Sequence, residues 1–206
     1  MKKSKWRSRI SWAIAILLSC WVILTLWAQI NGPNFIERLE TESGAPQALV
    51  IYDPDPIYNL DEQVSRAYAQ GLHEEGWQVI IASVNAARTL AGKFDHYAFC
   101  ANTYNWAPDL SICNFIENRK DLYQKPVVAI TLGSGSTARA QRILEQKILK
   151  QQAELIHSVS YWLMRPNDES RLDESNVEVA KDMAHKLGIK TAKDLLTSSG
   201  LYSSDD

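Results

Sequence analysis

Three cysteines and four histidines, with no cluster of either, leave little material for metal or thiol chemistry in this chain of 206 residues. There is no Cys-x-x-Cys pair, no histidine stands at metal-ligand spacing from Cys100 or Cys113, and Cys20 falls inside a long apolar run, so no metal site is expected. Free cysteine behaves as a small buried hydrophobe, which makes core packing the expected role of Cys100. His73, His96, His157 and His185 are scattered and read as surface or strand-end residues. Ser134 and Ser136 lack the Gly-x-Ser-x-Gly elbow, so Ser/His hydrolysis is not supported. Internal repeats and low-complexity blocks are also missing.

Basic charge is short as well. The chain has 22 Lys and Arg against 24 Asp and Glu, and five of the basic residues (Lys2, Lys3, Lys5, Arg7, Arg9) precede the apolar run. The 17 that remain against 24 acids give the rest of the chain a net charge of −7, which repels nucleic acid.

The apolar run is the first positive feature. No charge occurs between Arg9 and Glu37, and residues 11–30 are long and apolar enough to cross a hydrocarbon core of about 30 Å as a helix. Trp12 and Trp27 stand near its two ends, where amphipathic rings settle at a bilayer interface. Cleavage fits less well: the run continues past the lipoprotein-like Leu17-Leu18-Ser19-Cys20, and Leu26-Trp27-Ala28 puts bulky residues where a signal peptidase wants small ones. An uncleaved single-pass anchor in a cell membrane is expected, with the basic amino terminus cytoplasmic and the rest outside. The expected organisation is a basic terminus (1–10), a transmembrane helix (11–30), a stalk (31–46) punctuated by Gly32, Pro33, Gly44 and Pro46, a folded domain (47–197) and a loose tail (198–206).

Within the domain, apolar strands at 48–52, 77–84, 96–101, 126–132 and 159–164 alternate with helical spacing at 60–75, 110–119, 138–157 and 175–187. Five strands alternating with helices predict an α/β fold with a parallel sheet covered on both faces. Two strands end in loops suited to a ligand: His96–Ala101 runs into Asn-Thr-Tyr-Asn-Trp, and 126–132 runs into Gly-Ser-Gly-Ser-Thr. Small molecules bind outside the carboxyl ends of such strands, so the two loops describe walls of one crevice. Arg139 and Arg142, on the helix after the glycine loop, read as solvated charges.

The run of Thr103-Tyr104-Asn105-Trp106 and Pro108, Phe115-Ile116, Lys125-Pro126-Val127-Val128 and Gly133-Ser134-Gly135 resembles the flavodoxin-like family. The resemblance covers residues 47–187. It implies a three-layer flavodoxin-like sandwich with a five-stranded parallel sheet of order 2-1-3-4-5 and FMN at its switch point. It further implies that Thr103, Tyr104, Asn105 and Trp106 line the isoalloxazine ring. Gly133, Ser134, Gly135 and Ser136 would approach its other edge, and Tyr58 and Asn59 open the helix that would hold the phosphate. The chain departs from the family in the first loop, where Asp53-Pro54-Asp55-Pro56 replaces a cradle of hydroxyls and glycines with two carboxylates and two residues lacking an amide donor.

The resemblance therefore implies a membrane-anchored FMN-binding electron-transfer protein or flavin-dependent oxidoreductase, with a membrane redox or assembly partner. A second reading is a flavin-free binding or assembly module of the same fold. A third takes Asp53-Pro54-Asp55 after an apolar strand as the nucleophile and acid of a haloacid-dehalogenase-like, Mg-dependent phosphatase. That chemistry also needs acidic ligands after a later strand, and residues 132–137 offer none.

Overall fold

The computed structural model describes residues 2–29, 32–55 and 58–198. The chain divides into two compact units, 1–30 and 31–206. In the first, helix α1 (Lys2–Ala28) contains a span, Ser8–Trp27, of mean hydropathy 2.1 with no part buried in protein. By length and composition it can cross a membrane. The Thr25 hydroxyl near its carboxyl end donates to the Trp21 carbonyl (2.9 Å), so the helix carries this polar group at little cost in an apolar surrounding.

The second unit is built on β1 (Ile36–Leu39), β2 (Gln47–Tyr52), α2 (Leu60–Glu74), β3 (Gln78–Ser83), a short α3 (Val84–Ala87), β4 (His96–Tyr104), β5 (Ala107–Pro108), α4 (Leu110–Asn118), β6 (Pro126–Gly133), α5 (Ala138–Lys150), β7 (Glu154–Trp162) and α6 (Asn176–Ser198). The sheet runs β1-β3-β2-β4-β6-β7, with β5 hydrogen-bonded to the far end of β4. Its five parallel strands stand in the spatial order second, first, third, fourth, fifth, as the resemblance implied. The continuous apolar sequences of β2, β3 and β6 and of the first part of β4 follow from burial on both faces, while the edge strand β7 is mixed and mostly half-buried. One face buries Val50, Tyr52, Ile81, Cys100 and Ile130 beneath α2 and α6. The other buries Leu49, Ile51, Phe99, Ile112, Phe115 and Leu144 beneath α3, α4 and α5.

Four details differ from the sequence reading. The segment read as a stalk contributes β1, an antiparallel edge strand on β3. Phe35 and Leu39 pack against the core there, and Arg66 of α2 lies 4.8 Å over the Phe35 ring while pairing with Glu37. Helix α5 stops at Lys150 rather than near 157, because Gln152 takes a left-handed conformation (φ 57°) and turns the chain into β7. That strand therefore begins at Glu154 rather than 159, with Ser158 and Ser160 turned to Gln141 of α5 (2.9 and 2.8 Å). Helix α6 continues past Gly188, which sequence alone reads as its end. A Cβ there would lie 2.2 Å from the Tyr68 carbonyl, and one at Gly71 would lie 2.2 Å from the His185 carbonyl. The two glycines let α2 and α6 touch backbone to backbone. Of the predicted tail 198–206, Ser198 closes α6 and the rest lies outside the described residues.

Cys100 and Cys113 are buried and free, as core packing requires. His96 is wholly buried, with Nδ1 at 3.0 Å from the Pro126 carbonyl and Nε2 at 2.7 Å from the Tyr68 hydroxyl. Donating to the carbonyl fixes the neutral tautomer that accepts from Tyr68.

Candidate functional site

Three loops meet at the carboxyl ends of β2, β4 and β6. The first wall is a hairpin: Thr103 pairs with Pro108 and Tyr104 with Ala107, leaving Asn105 and Trp106 as a two-residue connection. Both have positive φ (50° and 61°), the pattern of a type I′ turn, which suits a twisted hairpin and normally selects Asn-Gly. A tryptophan in the second place costs on the order of 1 kcal/mol of backbone strain, yet the residue is left 58% exposed rather than packed away. The hairpin is held at its base by the Asp109 amide donating to the Asn102 carbonyl (2.8 Å). The Asp109 carboxylate caps α4 through the amides of Ser111 and Ile112 (2.7 and 3.1 Å).

The glycine loop forms the second wall. A Cβ on Gly133 would lie 2.8 Å from Thr137 Cγ2 and 3.2 Å from Thr103 Cβ, so the two walls touch at their base. The Gly133 and Ser134 carbonyls accept from the Leu163 and Met164 amides (both 3.0 Å), and Thr137 Oγ1 accepts from the Trp162 indole (2.9 Å). Arg165 lies across the loop. Its Nη1 donates to the Gly135 carbonyl (3.1 Å), its stem fills the space a Gly135 side chain would need, and its guanidinium sits 5.0 Å over the Trp162 ring. Ser134 and Ser136 are exposed.

The third wall is acidic. Asp53 is buried and accepts from the Gly32 amide (3.1 Å). Asp55 accepts from the Tyr58 amide (3.0 Å) and from the Tyr104 hydroxyl (2.7 Å). Asp61, on the first turn of α2 and wholly buried, accepts from the amides of Asp55 (2.8 Å) and Glu62 (2.9 Å) and from Asn102 Nδ2 (3.1 Å). Burial pushes Asp61 up to about 7 against those donors. Burial, and then the charge of Asp53, push Asp109 up to about 6, and burial also raises Asp53. The Tyr104 hydroxyl is raised by burial and by its bond to Asp55, so it stays a donor.

Thr103, Tyr104, Asn105 and Trp106 thus share one hairpin, and Gly133 to Ser136 one facing loop. Tyr58 is half-exposed, and Asn59 begins α2 in a left-handed conformation (φ 49°) without a side-chain cap. Sequence reasoning passed over Asp61, Asp109 and Arg165. Asp109 was legible as a capping residue before an apolar run, and Arg165 as the basic residue following the last strand. Asp61 carried no signal beyond its place in a first turn.

These residues divide in their fit to FMN. Thr103 Oγ1 is buried without a partner and Trp106 offers an open ring face, which suits a planar ligand. The phosphate end does not fit. Amides that would cradle a dianion are bonded to carboxylates of the chain, and Pro54 has none to give. Nor do the acids form a metal centre: no group of three or more suitable ligands occurs among the described residues. Asp53 and Asp55 bond to separate partners, which gives the phosphatase reading no support. A separate groove of about 940 Å³ opens at the amino end of the sheet, between Pro46, Trp77, Leu155, His157 and Leu195. It lies away from the switch point and gathers none of the residues above.

No protein-family profile matches the sequence, and no curated protein does. Solved structures do match. A flavodiiron core from Synechocystis superposes with a TM-score of 0.56 at 16% identity, over 77% of this chain and 38% of that one. An oxidoreductase from Corynebacterium diphtheriae gives 0.54 at 11% identity, over 76% and 99% of the two chains. A flavodoxin, WrbA-like protein from Agrobacterium tumefaciens gives 0.50 at 12%, over 73% and 99%. Identities this low speak to architecture alone, and with the strand order above they establish that the second unit has the flavodoxin-like fold.

Proposed function

We propose that the chain is a membrane-tethered module of the flavodoxin-like fold that binds a planar ligand of the flavin class between the hairpin 103–108 and the glycine loop 133–137. The observation that carries this reading is Trp106, kept exposed in a strained left-handed conformation at a hairpin tip beside the unpartnered Thr103 hydroxyl. Strain retained at a largely exposed aromatic points to use. An electron-transfer role beside a membrane partner follows if the ligand is a flavin, which would supply the redox chemistry. The chain's own contribution is to stack the ring and to bring hydrogen-bond donors to its edge. The apolar span supports the tether, and the five basic residues before it favour a cytoplasmic amino terminus with the domain outside.

A flavin-free assembly module is the second reading, favoured by Arg165, whose stem covers the Gly135 backbone that a ring edge would approach. Titration of riboflavin fluorescence separates the two. Saturable quenching that weakens by about tenfold in Trp106→Ala supports the ligand reading. No quenching at protein concentrations on the order of 100 µM leaves the assembly module.

A further inference from the structure

In this fold, the amino terminus of the helix after the first parallel strand is where a phosphate would be expected, since its amides are free and its dipole favours an anion. Here the Glu62 amide in the first turn of that helix, and the Asp55 and Tyr58 amides in the loop before it, are taken by carboxylates of the chain. Asp61 collects the Asp55 amide, the Glu62 amide and the Asn102 side chain on one wholly buried carboxylate. Asp55 takes the Tyr58 amide and the Tyr104 hydroxyl. Five donors, from the first loop, the first turn of α2 and the end of β4, converge on two carboxylates of the chain itself.

We infer that Asp61, seconded by Asp55, is a resident substitute for the ligand's phosphate, so that the crevice selects an uncharged planar ring and rejects its phosphorylated form. The arrangement does two jobs. The carboxylates satisfy buried donors that would otherwise be orphaned, holding the first loop to the hairpin through Tyr104 and Asn102 without any ligand. They also occupy the place where a second anion would have to sit and, wherever they are ionised, repel it, with Asp53 buried on the same loop. Selection is therefore by occupation and by charge together, as expected of a site built against a competitor as well as for a ligand.

This inference rests on the planar-ligand reading for its ligand class, and the experiment has an arm that does not. Riboflavin and FMN are titrated against the wild type and against Asp55→Ser/Asp61→Ser. Riboflavin should bind the wild type at least about tenfold more tightly than FMN, and the ratio should fall towards one in the variant. FMN binding as tightly as riboflavin to the wild type overturns the inference and leaves the planar-ligand reading standing. In the second arm, inorganic phosphate is compared with chloride at matched ionic strength by thermal unfolding. Phosphate should leave the wild-type midpoint unchanged and raise that of the variant, whose amides have been released. A wild type stabilised specifically by phosphate, or a folded variant that ignores it, contradicts the inference even if neither flavin binds. Should the variant not fold, the wild-type responses to phosphate and to the two flavins still decide.

Discussion

Two buried titratable residues give this protein opposing pH dependences. Folded His96 titrates near 4 because burial disfavours its cation, while unfolded histidine titrates at about 6.5. The unfolded chain binds the extra proton in between, so stability is full above that window and falls as pH drops through it, by up to about 3 kcal/mol. Asp61 has the reverse sign. Its folded value of about 7 exceeds the unfolded one of about 3.9, so the folded chain holds the extra proton and stability falls as pH rises through the window. Asp61→Asn removes only the second dependence. Its stability relative to wild type should therefore increase from pH 5 to pH 8, by up to about 3 kcal/mol, read from urea midpoints at the two pH values. Equal differences at both would show that Asp61 is ionised throughout. Trp106 gives a second residue-scale expectation. Trp106→Gly should raise stability by about 1 kcal/mol through relief of a positive φ, while Trp106→Ala, which keeps the strain, should not.

At the scale of elements, the parallel strands were legible because burial on both faces writes continuous apolar runs. Their ends, where polar and aromatic residues resume, located the hairpin and the glycine loop. What stayed hidden has a physical reason in each case. Four residues of β1 alternate too briefly to stand out among turn signals. The boundary between α5 and β7 was blurred because Leu149, Ala153 and Ile156 continue a helical spacing into the strand. Gly188 looked like a cap because its real role, close contact with α2, exists only in three dimensions. That contact is open to test: Gly188→Ala would set a methyl 2.2 Å from a backbone carbonyl on the neighbouring helix. We expect a loss of about 2 kcal/mol or more and a lower thermal midpoint, since a carbonyl in a packed helix cannot swing aside as a side chain does. An exposed helical Gly→Ala would instead stabilise. The acidic wall was only half legible, since Asp53 and Asp55 stood in view while Gly32 and Tyr104, which donate to them, are distant in sequence.

At the scale of the molecule, residues 32–198 are expected to fold without α1, which the proposed function makes a tether. A fragment beginning at Gly32 should unfold cooperatively in water. One beginning at Ala45 loses β1, the Phe35 and Leu39 packing and the Glu37–Arg66 pair, and should melt at least about 5 °C lower. Protease shaving of intact cells tests the tether: residues after α1 should be digested while a cytoplasmic control survives.

The most direct test of the central claim is amide hydrogen exchange with and without riboflavin, because it reports where a ligand sits as well as whether it binds. The account predicts slower exchange in residues 102–109 and 133–137 together and no change around the amino-end groove at residues 44–46, 154–157 and 194–198. Protection confined to that groove, or to neither loop at saturating ligand, would contradict it.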